Sequence, residues 1–303
     1  MTQPLSPERW ANDITVILRI VFGAERFPVD VKAVAREISA QKFPDDPITM
    51  IRGDTLPGFE GALVPAPPGK SGWGILYNSA IRSKGRINFT LGHEFGHYLL
   101  HRLAHPKGFQ CSSEDMANWE SEYGQLEQQA NIFAATLLMP LDDFRARIDT
   151  RARPSLDDLG ACAERYDVSL IAATLRWLRF TDRRAVFVIS KDGFILWARS
   201  SEPAWKSGLF FKTRNRPPVE VPASSLANQT GLVSGRIDQT EHDGGVWLNK
   251  PCREHVLFAG NYDFTISLLH FDDGAGRWEP AEEPEEDTYD RMMSRKLGQS
   301  WLG

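Results

Sequence analysis

The chain has 303 residues, enough for two or three compact units, and 42% of them are hydrophobic, as in folded globular proteins. Its formal net charge of -5 argues against a nucleic-acid surface extending over the whole chain, because phosphate binding requires clustered lysine and arginine. No stretch approaches the roughly 18 apolar residues of a membrane span, and no basic segment precedes an apolar one at the start. We therefore expect a cytoplasmic protein that does not enter membranes.

The three cysteines are far apart in sequence and form no Cys-x-x-Cys pair: Cys111, Cys162 and Cys252. This spacing predicts reduced thiols rather than a thiolate metal site or a disulfide framework.

The first half of the chain combines helical and extended patterns. Four apolar residues recur at helical spacing, Trp10, Ile14, Ile17 and Val21, and others do so over residues 31–38, which predicts two amphipathic helices. Between residues 48 and 77, short apolar runs are separated by glycine and proline, as in strands joined by turns. A helix is predicted over residues 88–102, and an apolar stripe at residues 126–137 predicts another that ends before a proline.

The second half of the chain begins with a helix-turn-helix outline. Two short apolar-periodic segments lie within residues 155–179, with Ser155 and Ser169 as predicted N-caps. The second segment begins with apolar residues where a recognition helix would present base-contacting side chains, so we interpret both as helices packed on the preceding domain. From residue 182 the composition becomes rich in strand-forming residues, and Lys191-Asp192-Gly193 indicates a hairpin.

The sequence His-Glu-Phe-Gly-His begins at His93, on the helix predicted over residues 88–102. Two histidines four residues apart lie on one helix face, about 6 Å apart along the axis, so His93 and His97 can both reach one ion at about 2.0 to 2.1 Å. Glu94 lies beside them and can accept a proton from water acidified by that ion. The motif therefore predicts a metal-dependent peptidase.

A third protein ligand must come from elsewhere in the chain. His101 lies about 12 Å from His93 along the helix, too far to share the ion. The metzincin pattern is excluded because Leu100 and Leu103 stand where it requires glycine and histidine. Four glutamates precede or lie on the next predicted helix: Glu114, Glu120, Glu122 and Glu127. Only Glu127 falls well within the apolar stripe predicted at residues 126–137.

Two linked segments, residues 87–97 and 127–140, resemble the ImmA/IrrE metallo-endopeptidases, and the resemblance extends over roughly residues 5–180. It implies a gluzincin-like zinc peptidase domain, in which Zn²⁺ is the expected ion and Mn²⁺ another divalent candidate. It also implies three metal ligands: His93, His97 and Glu127. Family members cleave helix-turn-helix transcriptional repressors, so the resemblance implies a repressor substrate and derepression of stress-response or mobile-element genes.

These patterns together predict an α+β protein with three parts. A metallopeptidase domain is expected at residues 1–150, a helix-turn-helix-like segment at 151–181, and a β-rich C-terminal domain at 182–303, with a role in sensing or substrate recognition. We expect residues 1–181 to fold and bind metal without the remainder. Four side chains are candidates for stabilising the tetrahedral oxyanion: Tyr77, Tyr98, Tyr123 and His105.

The alternative hypothesis is a regulatory DNA- or protein-binding module without proteolytic activity, in which the metal only stabilises the fold. In that case a group of arginines would contact DNA: Arg176, Arg179, Arg183 and Arg184. The presence of Glu94 favours the enzyme, since a purely structural metal site needs no general base.

Overall fold

The structure is a computed structural model that describes residues 5–56, 58–112, 122–213, 217–229, 233–260 and 263–272. Its elements combine helices with two β-sheets, which confirms the α+β class and the β-rich C-terminal region. No helix within the described ranges has both the length and the apolar composition needed to cross a membrane.

The two predicted N-terminal helices are present as α1 (Pro7–Phe22) and α2 (Val31–Lys42). Each begins at a side-chain cap, which satisfies one of the free backbone N–H groups of the first turn. In α1, Ile14 is buried, whereas Ile17 and Val21 of the same predicted stripe are 42% and 63% exposed. The helix prediction is confirmed, but the buried face is rotated from the expected one.

The first sheet consists of four strands: β1 (Ile48–Asp54), β2 (Phe59–Pro65), β3 (Trp73–Asn78) and β4 (Phe109–Ser112). Their order is β1-β3-β2-β4, with β1 parallel to β3 and the other pairs antiparallel. The first three strands confirm the extended pattern predicted over residues 48–77.

The helix that carries the His-Glu-x-x-His sequence is α3 (Lys84–His101), and it packs against α4 (Glu122–Leu138). Gly92 and Gly96 face α4, because a Cβ atom on Gly92 would lie 3.3 Å from Ala134 and one on Gly96 would lie 3.1 Å from Phe133. The two glycines lie four residues apart on one face and let the helices approach closely.

Three shorter helices follow α4: α5 (Leu141–Arg147), α6 (Leu156–Tyr166) and α7 (Leu170–Leu178). The predicted N-caps Ser155 and Ser169 are confirmed, since each hydroxyl accepts a hydrogen bond from the backbone N–H three residues later. Between the two helices Asp167 adopts a left-handed conformation with φ 48°.

Arg176 contradicts the DNA-contact hypothesis made for it from the sequence. It lies on the inner face of α7, is 6% exposed, and its Nε donates a 2.8 Å hydrogen bond to the carbonyl of Met139, just beyond α4. Burial lowers the pKa of Arg176 to about 10. The side chain therefore joins α7 to the end of α4 and is not available to a DNA phosphate.

Within the described part of the C-terminal region, the sheet has six antiparallel strands: β5 (Ala185–Lys191), β6 (Phe194–Ser200), β7 (Val219–Glu220), β8 (Ile237–His242), β9 (Cys252–Ala259) and β10 (Phe264–Phe271). The order is β7-β6-β5-β10-β9-β8, and a short helix, α8 (Glu202–Lys206), follows β6. The predicted hairpin is present, with Asp192 and Gly193 at φ 51° and 79°, as a tight turn between twisted strands requires.

Strand β5 is buried on both faces. Phe187 and Ile189 belong to the apolar core that also contains Trp177 of α7, whereas Val186 and Val188 belong to a second core on the opposite face. The hydrophobic core of the N-terminal helices therefore continues without a break across residue 181.

Polar contacts cross the same boundary. His270 of β10 donates a hydrogen bond of 2.9 Å to the carbonyl of Pro154, and its ring lies 5.5 Å from that of Trp177. The backbone N–H of Asp182 donates to the carbonyl of Thr150 at 2.8 Å. Residues on both sides of position 181 thus complete each other's packing.

We expect a fragment of residues 1–181 to bind metal but to unfold at a temperature lower by about 5 to 10 °C, because Trp177 loses its cover and exposing it costs roughly 2 to 3 kcal/mol. Thermal unfolding and metal content of fragment and intact chain test this. Trp177→Ala provides the matched control, since it should destabilise the intact chain more than the fragment. An insoluble or metal-free fragment would show that residues 182–303 are required for the peptidase fold.

His270 should make the folded protein sensitive to acid. Burial, together with the neighbouring charges of His255, Arg153 and Arg253, lowers its pKa to about 4, despite the hydrogen bond to Pro154. The unfolded chain takes up this proton near pH 6.5, so stability is complete above that pH and is lost as pH falls towards 4. The total loss is about 3 kcal/mol, at 1.36 kcal/mol per pKa unit.

Urea unfolding at pH 7, 6 and 5 measures this loss. His270→Phe removes the titrating group and should flatten the pH dependence relative to the wild type, whatever its effect on stability at pH 7. Equal slopes for the two proteins would contradict the assignment to His270.

Candidate metal centre

Three side chains from α3 and α4 converge on one point. His93 Nε2 and His97 Nε2 lie 3.0 Å apart. Glu127 directs one carboxylate oxygen to each of them, with Oε2 at 3.1 Å from His93 Nε2 and Oε1 at 3.2 Å from His97 Nε2. Ligand bonds of about 2.0 to 2.1 Å in a tetrahedral arrangement place donor atoms about 3.4 Å apart, so the spacing suits one small cation. Two imidazole nitrogens and a carboxylate form a donor set typical of zinc.

The three side chains are almost fully buried, with exposed fractions of 5% for His93, 0% for His97 and 2% for Glu127. Among the described residues, these three form the one group of three or more His, Cys, Asp or Glu side chains whose donor atoms all lie within 4.8 Å of one another. Burying this many polar groups together is costly unless a partner satisfies them, and a divalent cation does so.

The protonation states follow from the same proximity. Burial lowers the pKa of His97 to about 3, so its imidazole is neutral, as a metal ligand must be. Burial alone would raise the pKa of Glu127, but hydrogen bonds from His93 and His97 outweigh it and lower the pKa. For His93, burial is outweighed by the bond to Glu127 and by the charge of Glu94, and the pKa is raised.

Asn131, one turn after Glu127 on α4, orients the first histidine. Its Oδ1 lies 2.9 Å from Nδ1 of His93 and accepts a hydrogen bond from the Nδ1–H group, which leaves Nε2 with its lone pair directed at the other ligands. Helix α4 thus contributes both a ligand and the group that orients another ligand.

Glu94 is fully buried beside the ligands, and strand β2 packs against it. A Cβ atom on Gly61 would lie 2.7 Å from Oε1 of Glu94 and 2.6 Å from Cγ2 of Thr90, closer than real Cβ contacts. Only glycine fits at position 61 without displacing the carboxylate, so the strand backbone sets the position of Glu94.

The structure separates the other predicted site residues. The hydroxyl of Tyr98 donates to the carbonyl of Asp46 at 2.7 Å, on the core side of α3, and the hydroxyl of Tyr77 accepts a 2.9 Å hydrogen bond from Lys32. Both contacts direct these hydroxyls to α2 and its connection to β1. The side chain of Tyr123 lies outside the described residues, as do Glu114 and Glu120.

His105 lies in the middle of the connection between α3 and β4. Its ring centroid is 4.8 Å from that of Phe109, and the Phe109 ring stacks on His97 at 4.3 Å. Of the oxyanion candidates with described side chains, His105 is therefore the one whose ring contacts Phe109, which in turn stacks on the ligand His97.

Sequence reasoning did not identify three polar residues around the ligands: Asn131, His101 and Gln129. His101 was excluded as a ligand by its distance from His93, and the structure places its ring against Nδ1 of His97 instead, at 3.0 Å. The available signal was spacing, because His101 follows His97 by four residues and Asn131 follows Glu127 by four, which places each pair on one helix face.

A mixed helix-and-sheet domain that buries two histidines and a glutamate, with a second glutamate alongside, is an arrangement typical of metallopeptidases. Residues 51–178 match the model of the peptidase family M78, described as the IrrE N-terminal-like domain. This match of residues 51–178 confirms the resemblance to the ImmA/IrrE metallopeptidases drawn from the two linked motifs. No curated protein matches the chain in sequence.

Proposed function

We propose that this protein is a zinc-dependent endopeptidase in which His93, His97 and Glu127 hold the ion and Glu94 is the general base. The convergence of the three donor groups at 3.0 to 3.2 Å in a buried site supports the proposal most directly. A zinc ion bound there would acidify a water molecule and polarise the carbonyl of the scissile peptide bond. Mn²⁺ is the alternative ion for the same donor set.

The other roles follow from position. Glu94 accepts the proton of the attacking water and passes it to the leaving amine, because its carboxylate lies beside the ligands and is held there by the backbone of β2. The oxyanion needs a hydrogen-bond donor near the bound carbonyl oxygen. His105 is our first choice for this role, since Tyr77 and Tyr98 bond elsewhere and Tyr123 remains a prediction.

We propose a cytoplasmic helix-turn-helix repressor as the substrate, so that limited proteolysis would switch on stress-response or mobile-element genes. The proposal extends the family assignment of residues 51–178, which itself implies a protein substrate. In this scheme residues 1–150 form the gluzincin-like peptidase, 151–181 the helix-turn-helix-like segment, and 182–303 a sensing or substrate-recognition domain.

Incubating the zinc-loaded protein with any small helix-turn-helix repressor found to be encoded beside its gene tests the proposal. Mass spectrometry should detect one internal cleavage, which the chelator 1,10-phenanthroline abolishes and added zinc restores. Intact repressor after incubation with the loaded protein would contradict the substrate. Failure to hydrolyse any of a set of denatured proteins would contradict the peptidase. Salt-dependent DNA binding in the absence of cleavage would support the binding-module hypothesis instead.

Gly61→Ala should lower the turnover number by about 10- to 100-fold with metal affinity unchanged, because the new methyl group displaces the Glu94 carboxylate but none of the three ligands. Steady-state cleavage rates and metal titration of one preparation measure both effects. Gly160→Ala is the matched control, since a Cβ atom there meets nothing within 4 Å. Turnover at the wild-type rate by Gly61→Ala would contradict the positioning role of β2.

A further inference from the structure

Behind His97 lies a line of hydrogen-bonding groups that ends on α4. Nδ1 of His97 is 3.0 Å from Nδ1 of His101, and Nε2 of His101 is 3.1 Å from Oε1 of Gln129. His101 is 4% exposed, so solvent does not replace either contact. Both ring nitrogens of His101 are thus engaged, one with a predicted metal ligand and the other with an amide.

Only one direction of these hydrogen bonds is compatible with metal binding. Oε1 of Gln129 accepts a hydrogen bond from the Nε2–H group of His101, which leaves Nδ1 of His101 to accept a hydrogen bond from the Nδ1–H group of His97. Nε2 of His97 then carries a lone pair directed towards Glu127. If every bond ran in the opposite direction, Nε2 of His97 would carry a proton and could not bind a cation.

We propose that His101 and Gln129 are positioning residues that set the tautomer and ring orientation of His97 for metal binding. The inference rests on the proposed metal site. The two histidine ligands are then oriented in different ways. Asn131 accepts a hydrogen bond directly from His93, whereas Gln129 acts on His97 through the imidazole of His101. Both terminal acceptors lie on α4, which also carries Glu127, so the packing of α3 on α4 aligns all three ligands together.

Metal titration of full-length variants tests the proposal, with Co²⁺ and Zn²⁺ as probes in competition with a chromophoric chelator. His101→Phe should lower affinity by about 10- to 100-fold, the loss that follows removal of a group hydrogen-bonded to a ligand. Gln129→Leu should also lower affinity, because it removes the acceptor that fixes the tautomer of His101. Gln129→Glu keeps the acceptor and should restore wild-type affinity. Gln128→Leu makes the same chemical change one residue away and serves as the control.

A second measurement separates orientation from general stability. In the long-range ¹H–¹⁵N spectrum of the zinc-loaded wild type, His97 should be protonated at Nδ1 and His101 at Nε2. In Gln129→Leu the Nδ1 proton of His97 should exchange faster with water, while thermal unfolding of the metal-free protein stays close to that of Gln128→Leu.

The outcomes distinguish this proposal from the one on which it rests. A wild-type protein that binds neither Co²⁺ nor Zn²⁺ would overturn the metal site itself. A wild type that binds both, with His101→Phe and Gln129→Leu binding equally tightly, would overturn only the positioning role. The opposite tautomers in the zinc-loaded spectrum would also overturn it.

Discussion

Glu94→Gln is expected to reduce peptide cleavage by about 10²- to 10⁴-fold while leaving the metal content unchanged, because the amide keeps the shape of the side chain but cannot accept a proton from water. The ligands His93, His97 and Glu127 are untouched by the substitution. Zinc content by mass spectrometry and cleavage rates on the same preparation measure the two effects separately.

Glu60→Gln is a suitable control for this experiment. Glu60 lies next to Gly61 on β2, and its carboxylate pairs with Arg86 in a solvent-accessible ion pair. Because surface ion pairs of this kind contribute at most about 1 kcal/mol, the control should cleave at nearly the wild-type rate. Cleavage by Glu94→Gln as fast as by Glu60→Gln would falsify the assignment of the general base.

Glu127→Ala should lower zinc affinity by at least about 100-fold, since it removes one of three protein ligands and leaves two buried histidines without their carboxylate partner. Cleavage should be lost at ordinary zinc concentrations for the same reason. Competition titration with a chelator measures the affinity, and cleavage at increasing zinc concentration shows how much activity the ion restores.

The other glutamates considered from the sequence are the controls for Glu127. Zinc affinity should be unchanged when alanine replaces any one of Glu114, Glu120 and Glu122. An equal loss of affinity in any of the three would transfer the third-ligand role from Glu127 to that residue.

Local patterns predicted much of the site and of the secondary structure. The spacing of His93 and His97 placed both imidazoles on one helix face, and the stripe around Glu127 placed its carboxylate on the facing helix; the structure brings all three together. The caps Ser155 and Ser169 were also predictable, because a hydroxyl before an apolar segment satisfies free backbone N–H groups.

What the patterns could not predict is which surfaces meet. Apolar spacing indicates that one face of a helix is buried, but it does not indicate which element covers that face. For this reason Ile17 and Val21 were expected to be buried, whereas the structure exposes both. The charge of Arg176 suggested a surface position, whereas its guanidinium is buried against a carbonyl distant in sequence. Short elements such as β4 and α5 carried too few residues to show a period.

The two faces of β5 have a consequence for how this protein can change over evolutionary time. One face completes the core around Trp177, so the C-terminal region cannot be exchanged for that of another chain without altering residues on α7 as well. A new C-terminal region would need to present matching apolar and hydrogen-bonding groups where Phe187 and His270 now lie. Substitutions on the opposite face, around Val186 and Val188, are free of this constraint. Substitutions in the C-terminal region should therefore accumulate on that opposite face, within the limits of its own core, while the face towards α7 changes in step with α7.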